Sequence, residues 1–254
     1  MENLVRKIKE KYELNSLPDS LVKSTLETYL LKNKVKYINS EKSQKIIVKE
    51  VRKELRRYTG QYASKTNIKN RQELIKKEDI IGLLKEHSST RERLEDYPLV
   101  KDIIKKINPK SILDLGCGVN PIAIASKGIK YHAYDINQND LEIVNEFFKI
   151  NKIEGDIYHK DIREESLFPK VDLCIIFKVL DILGDDRNKV TKDILTKVDS
   201  KYFLISFATR TLSGKPMNSP YRRWFEKILQ VLNYKYEVKR TRQELFYIIQ
   251  KTTA

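Results

Sequence analysis

The residues with the clearest chemical purpose are Leu113-Asp114-Leu115-Gly116-Cys117-Gly118, an apolar run ending in Gly-x-Gly, with a helix start at Pro121. Gly116 and Gly118 let the backbone turn tightly and come close to a ligand beyond the strand end, as cofactor-binding turns require. Twenty-one residues after Asp114, a second apolar run ends at Asp135. An acid at that spacing can accept hydrogen bonds from two ribose hydroxyls. Asp161, after a third run, is placed to meet an adenine amino group.

This layout suits NAD and S-adenosylmethionine alike. The dinucleotide fingerprint wants a third glycine where this chain has Pro121, which favours S-adenosylmethionine. The Asp-Leu-Gly-Cys-Gly string resembles motif I of class I methyltransferases. Methyl transfer is an in-line displacement at a sulfonium carbon, so the protein mainly aligns nucleophile and methyl group. Exocyclic amines usually go with an Asn/Asp-Pro-Pro-aromatic turn after the fourth strand; this chain has Phe177-Lys178-Val179-Leu180. Pyrimidine C5 methylation needs a thiolate, yet Cys117 lies in the glycine loop and Cys174 inside a strand-like run. Guanine N7 carries a free lone pair and no proton, so a site without an obvious base fits it. Lys178, at the end of the fourth run, could donate to guanine O6 or a phosphate; an ordinary surface lysine is the alternative. Arg210 and Lys215, in the loop after the fifth run, could grip phosphates. Trp224 and Phe225 read as helix-packing residues. His87, His132 and His159 are too scattered to argue for a metal.

Elements must position these groups. Strands are expected at 111–115, 130–135, 155–159, 171–177 and 202–207, with helices at about 121–127, 139–151, 186–198 and 220–232 and a terminal hairpin at 236–250. Strands alternating with helices imply a parallel sheet covered on both faces. Residues 1–85 differ. Leu4, Val5, Ile8 and Tyr12, then Leu21, Val22, Leu26 and Leu30, then Ile47, Val51 and Leu55 recur at helical spacing. The expected architecture is α/β, a Rossmann-like domain with an N-terminal helical domain. Its expected parts are a helical domain at 1–85, a connecting segment at 86–108 and the cofactor domain at 109–254.

The chain's 254 residues carry 50 Lys/Arg against 35 Asp/Glu, and residues 1–85 hold 21 of the former against 11 of the latter. One third of the chain thus holds two thirds of the excess positive charge, which favours a polyanionic partner through counterion release. Arg52, Lys53, Arg56 and Arg57 crowd one predicted helix and form the expected RNA-binding patch. At 40% hydrophobic residues the chain can bury a core. No apolar run approaches the ~18 residues of a membrane span. The N-terminus lacks the apolar core of a signal peptide, and two cysteines exclude a disulfide framework. A cytoplasmic monomer with no metal and no membrane partner is expected.

In order along the chain come His87-Ser-Ser-Thr-Arg-Glu-Arg93, Ile112-Leu-Asp-Leu-Gly-Cys-Gly-Val-Asn-Pro121, Tyr131-His-Ala-Tyr-Asp135, Lys178, Ser206-Phe-Ala-Thr-Arg-Thr-Leu-Ser-Gly-Lys215, Tyr221-x-x-Trp224 and Glu244-Leu-x-Tyr. This succession resembles the aminoglycoside-resistance 16S ribosomal RNA (guanine-N7) methyltransferases, densely from about residue 80 to 250. Before that, only the basic helices and Tyr58-Thr-Gly60-x-Tyr62 are similar. The resemblance implies that Arg93 binds the carboxylate of S-adenosylmethionine, that Gly116 and Gly118 border its methionine part, Asp135 its ribose, and Asp161 with Ile162 its adenine. It implies that Lys178 and Arg210 act catalytically on the RNA side, and that the helical domain docks on the 30S subunit. The chain departs from the family at Asp181-Ile-Leu, Gly184-Asp-Asp-Arg-Asn and Pro216-Met-Asn-Ser-Pro, around the target-base pocket. Modification of another RNA guanine without resistance, or of a small molecule, therefore stays open.

Overall fold

The computed structural model describes every residue except 36, 37, 39, 60–67, 185, 212 and 252–254. Gly60 and Tyr62 of the Tyr58 motif lie outside the described residues, as does Asp185.

The chain opens with helices α1 (Glu2–Lys9), α2 (Tyr12–Asn15), α3 (Asp19–Lys32) and α4 (Glu41–Thr59). Their apolar faces meet in a core of their own, built on Leu4, Ile8, Leu14, Leu21, Leu26, Val51 and Leu55. Four further helices follow: α5 (Ile68–Lys76), α6 (Ile80–Glu86), α7 (Ser88–Glu92) and α8 (Tyr97–Ile107). The alternating part runs β1 (Ser111–Leu115), α9 (Pro121–Ile124), β2 (Lys130–Asp135), α10 (Gln138–Asn151), β3 (Gly155–His159), β4 (Val171–Phe177), α11 (Arg187–Lys197), β5 (Ser200–Ala208), α12 (Arg223–Val231), β6 (Lys235–Arg240) and β7 (Glu244–Gln250).

The strands form one seven-stranded sheet in the order β3-β2-β1-β4-β5-β7-β6. β1 to β5 are parallel, and the terminal hairpin adds β7 antiparallel to β5 and β6 antiparallel to β7. Two apolar layers cover its faces. One gathers Val100, Ile104, Leu141, Val144 and Phe148; the other gathers Leu183, Leu195, Phe225 and Leu229. The strand order reverses between β1 and β4, where an open α/β sheet leaves a crevice at its carboxyl ends. The Rossmann-like reading of the sequence holds.

Two expectations need correction. The helix after Pro121 stops at Ile124, because Ala125 turns extended at ψ 140 and Gly128 follows at φ +84. The helical module also ends earlier than residue 85. Ile75, Leu83 and Leu84 pack into the core shared with β1 and α10, not with α1–α4. Arg71 of α5 forms a 2.7 Å ion pair with Asp140 of α10, both side chains almost wholly buried. Residues 71–85 fall inside the expected helical domain by sequence, but their apolar face meets the sheet.

A buried ion pair that loses one partner leaves an uncompensated charge, a loss of roughly 3–5 kcal/mol. Arg71→Ala is therefore expected to lower the unfolding free energy by about that amount, read from urea denaturation. A loss comparable to that of an exposed arginine would mean the pair does not anchor α5.

Candidate active site

The glycine turn is built by hydrogen bonds across to β2. The N–H groups of Gly116 and Cys117 donate to the Tyr134 carbonyl at 2.8 and 2.9 Å. Gly116 adopts φ +71, and a Cβ there would lie 2.4 Å from Val179 Cγ2, so glycine is required on both counts. Gly118, at φ +51, lies under the His87 ring, and its N–H donates to Asp135 Oδ2 at 2.7 Å. Asp135 Oδ1 accepts from Asn137 N–H at 2.8 Å. The Asp135 carboxylate is thereby fixed at the mouth of β2.

Around this turn lies a cleft of about 980 Å³, its open mouth included, lined by Arg93, Gly116, Gly118, Asp135, Asp161, Ile162 and Lys178. Seven sequence-selected residues, drawn from positions 93 to 178, thus share one cavity. Tyr58, His87, Ser89, Asn120, Asp140 and Phe177 also line it. The sequence flagged His87, Ser89 and Asn120 as parts of motif strings, but nothing in their types gave them a role. Asp140 and Phe177 carried no signal.

One end of the cleft is a charge network. Arg93 is 1% exposed and its Nε reaches Glu244 Oε1 at 3.0 Å. Its guanidinium lies 4.4 Å from the centre of the Phe177 ring. Its two Nη groups lie 3.4 Å from Asn120 Oδ1 and 3.3 Å from Ser89 Oγ, long contacts, with the Tyr97 hydroxyl also beside the guanidinium. Glu244 is 0% exposed. Burial alone would raise its pKa, but Arg93 and Lys178 outweigh burial and hold it below the usual carboxylate range. Lys178 is neither a surface lysine nor an open RNA contact. It is 4% exposed, and its Nζ binds Glu92 at 2.6 Å and Glu244 at 3.3 Å. Its backbone sits at φ +59, a conformation that non-glycine residues rarely adopt.

Burial pushes Asp135 up to about 7, with Asp140 adding repulsion and the Gly118 and Asn137 N–H groups opposing it. Burial also raises Asp114 to about 6, against hydrogen bonds from Tyr131 and Asn120. Burial lowers the His87 pKa, so its ring is neutral at pH 7. Both cysteines are free and buried, and burial pushes their thiols well up, so neither supplies a thiolate.

The remaining expected residues lie apart from this cleft. Arg210 pairs with Pro216 in an isolated bridge and its Nη1 donates to the Gly214 carbonyl at 2.6 Å, so it shapes its own loop. Lys215 is exposed on that loop. Asp181, a departure from the family pattern, accepts a forked pair from Arg222 at 3.0 and 2.8 Å. Trp224 packs against Phe207 and under Arg187, as a structural residue.

The α4 patch also divides. Arg52 donates to the carbonyls of Lys7 and Ile8 and lies 3.5 Å from Glu10. Arg56 binds Glu13 at 2.8 Å, and Arg57 binds Glu54 at 3.1 Å. Arg52 and Arg56 thus fasten α4 to α1 and α2. Lys53 stays exposed, in line with exposed Lys42 and Lys49.

Residues 75–248 match the family described as ribosomal RNA methyltransferase (FmrO). The chain belongs to that family. It is 29% identical over 215 residues to a 16S rRNA (guanine(1405)-N(7))-methyltransferase of Serratia marcescens, covering 83% of this chain and 85% of the relative. The fold matches the 16S rRNA methylase RmtB with a TM-score of 0.82 at 23% identity, over 99% of this chain and 98% of that one. It matches 16S rRNA methyltransferase RmtF, solved in complex with S-adenosyl-L-homocysteine, with a TM-score of 0.85 at 22% identity, over 99% and 98%. The matched span of this rRNA methyltransferase encloses the sheet and nearly all of the cleft.

An acid whose pKa rises on folding takes up protons as the chain folds, so stability is full at low pH and lost as pH rises. For Asp135 and Asp114 the window runs from the ordinary value of 3.8 to about 7 and about 6. Across that window these two acids subtract from the unfolding free energy of the ligand-free protein as pH rises, and Asp135→Asn should gain stability relative to the parent between about pH 4 and pH 7. An unchanged pH profile in this variant would show that Asp135 is not held in a charge-disfavouring site.

Proposed function

We propose that this chain transfers the methyl group of S-adenosylmethionine to N7 of a 16S rRNA guanine in the 30S subunit, the modification from which the family's aminoglycoside resistance would follow. The observation that carries this reading is the coincidence of the cleft with the family span, residues 75–248. The name of the Serratia relative specifies guanine N7, which supports the choice of atom.

The cleft fits the cofactor. Its glycine turn has no room for side chains at one position and a forced positive φ at two. Asp135 is an enclosed acceptor for ribose hydroxyls. Arg93 keeps Nε on Glu244 while its Nη groups face Asn120 and Ser89, cleft-lining neighbours. That fork can take a carboxylate bidentately. Asp161 and Ile162 border the adenine end. When bound, the cofactor supplies a methyl group activated by its sulfonium.

No proton leaves N7 when it attacks, so the chain need hold no general base. What remains is positioning. Lys178 contributes by fixing Glu92 and Glu244 at the β4 terminus, and the Arg222–Asp181 fork holds the segment after β5 against the turn after β4. The guanine must leave its helix to enter such a cleft.

Labelled methyl groups are expected on 30S subunits, with the modified RNA cleaved by borohydride and aniline at a single guanine. Asp135→Ala should weaken cofactor binding by about 1–3 kcal/mol, the loss of a buried polar pair. Label that accumulates stoichiometrically in RNA resistant to this cleavage would move the methyl group to another atom.

Docking is assigned to the exposed row Lys42, Lys49 and Lys53 of α4. Changing all three to Ala should lower the slope of log affinity against log salt by up to roughly one unit for each phosphate no longer neutralised. Arg52→Ala should instead lower the stability of the helical module. A salt slope that survives the triple substitution removes this row from the docking face.

A further inference from the structure

Both nucleoside-binding walls of the cleft are fastened to the helical module. The Ser16 carbonyl, in the turn before α3, accepts from Gln138 N–H at 3.2 Å and lies 2.9 Å from His159 Nε2. Ile136, next to Asp135, packs against the module's core. This fastens the ribose wall. The adenine wall is fastened through Arg163. Its Nε lies 3.0 Å from both oxygens of Asp161 and its Nη2 2.6 Å from Oδ2. Its remaining arm, Nη1, donates to the Tyr58 hydroxyl at 2.9 Å, and the guanidinium lies 4.5 Å from the centre of the Tyr58 ring. Tyr58 belongs to the last turn of α4, the helix that carries the exposed lysine row.

We propose that Arg163 is a positioning residue that makes cofactor binding and subunit docking mutually dependent, by joining Asp161 of the adenine wall to Tyr58 of the docking helix. The proposal rests on the function argued above. A guanidinium is a rigid planar fork, so its grip on Asp161 fixes the plane in which its fourth nitrogen contact must be found. Wherever Tyr58 sits, the Asp161 carboxylate must follow. Docking immobilises α4 from its lysine face, and with it Tyr58, Arg163 and the carboxylate that meets adenine. The cofactor then binds a wall already ordered, which makes the coupling positive. Coupling between two binding equilibria is reciprocal, so an occupied cleft must strengthen docking by the same factor.

The test measures the affinity of S-adenosylhomocysteine for the full chain by calorimetry, free and with saturating 30S subunits. The ratio of the two affinities is the readout, because general destabilisation moves both alike. The wild-type protein should bind at least about fivefold tighter on the subunit. Tyr58→Phe, which keeps the ring and loses the hydroxyl, should reduce that ratio. Arg163→Gln should reduce it further, leaving only what the ribose wall's own tie to the module carries, and Arg163→Lys should not restore it. If Arg163→Gln does not fold, Tyr58→Phe decides. A wild-type ratio of one, or variants that keep the wild-type ratio, overturns the coupling and leaves the methyltransferase reading standing. A wild-type protein that transfers no methyl group to 30S subunits overturns both.

Discussion

A carboxylate that water cannot reach sits where the first and last parts of the cofactor domain meet. Glu244 opens β7 and is fully buried. A charge so placed costs several kcal/mol unless its partners are held in good geometry. Those partners are Arg93, 151 positions away, and Lys178, at the end of β4. The pairing obliges three distant segments to converge, and the convergence forms one end of the cleft. It also accounts for the strained backbone at Lys178. With φ positive at the strand end, its ammonium reaches Glu244 while its N–H donates to the Ser206 carbonyl at 3.0 Å. Strain at this place is supported by the buried pairing around it.

Much of the candidate cleft was legible in the sequence because its determinants are local. A buried strand, a Gly-x-Gly turn and an acid at the end of the next strand obey short spacings, and Gly116, Gly118 and Asp135 were found on that basis. The strands themselves were found to within a few residues, since β1, β4 and β5 are continuous apolar runs. What the sequence could not disclose were partnerships between distant residues. Arg52 and Lys53 are neighbours of like charge, yet one is spent on the carbonyls of α1 and the other faces solvent. Helical phase decides this, and the phase depends on which face of α4 meets α1.

The same limit explains the misplaced domain boundary. Residues 71–86 are as helical as those before them, so helical spacing grouped them together, although their four Lys/Arg balance four Asp/Glu. Burial groups them with the sheet, because Ile75, Leu83 and Leu84 complete its core and Arg71 answers Asp140. Asp140 has a second neighbour, His87 Nε2 at 3.8 Å, and His87 closes over Gly118. The segment therefore backs one wall of the cleft. Residues 1–70 carry 17 Lys/Arg against 8 Asp/Glu, so the local charge changes where burial does, and helical spacing does not.

Asp181 shows how a departure from a family pattern can be absorbed. A new carboxylate beside a methyl-transfer cleft would disturb it if left unpaired. Here Arg222 receives it in a fork, and the same guanidinium reaches the Ala208 carbonyl at 3.1 Å and lies 5.4 Å from the centre of the Phe207 ring. One side chain thus ties the turn after β4, the end of β5 and the entry to α12. A bidentate charge pair of this kind carries geometric specificity as well as energy. The acid at position 181 is therefore read better as half of a brace than as a residue that fails to meet RNA. What this rim must do is keep the two strand ends together, and the Asp181–Arg222 pair meets that condition.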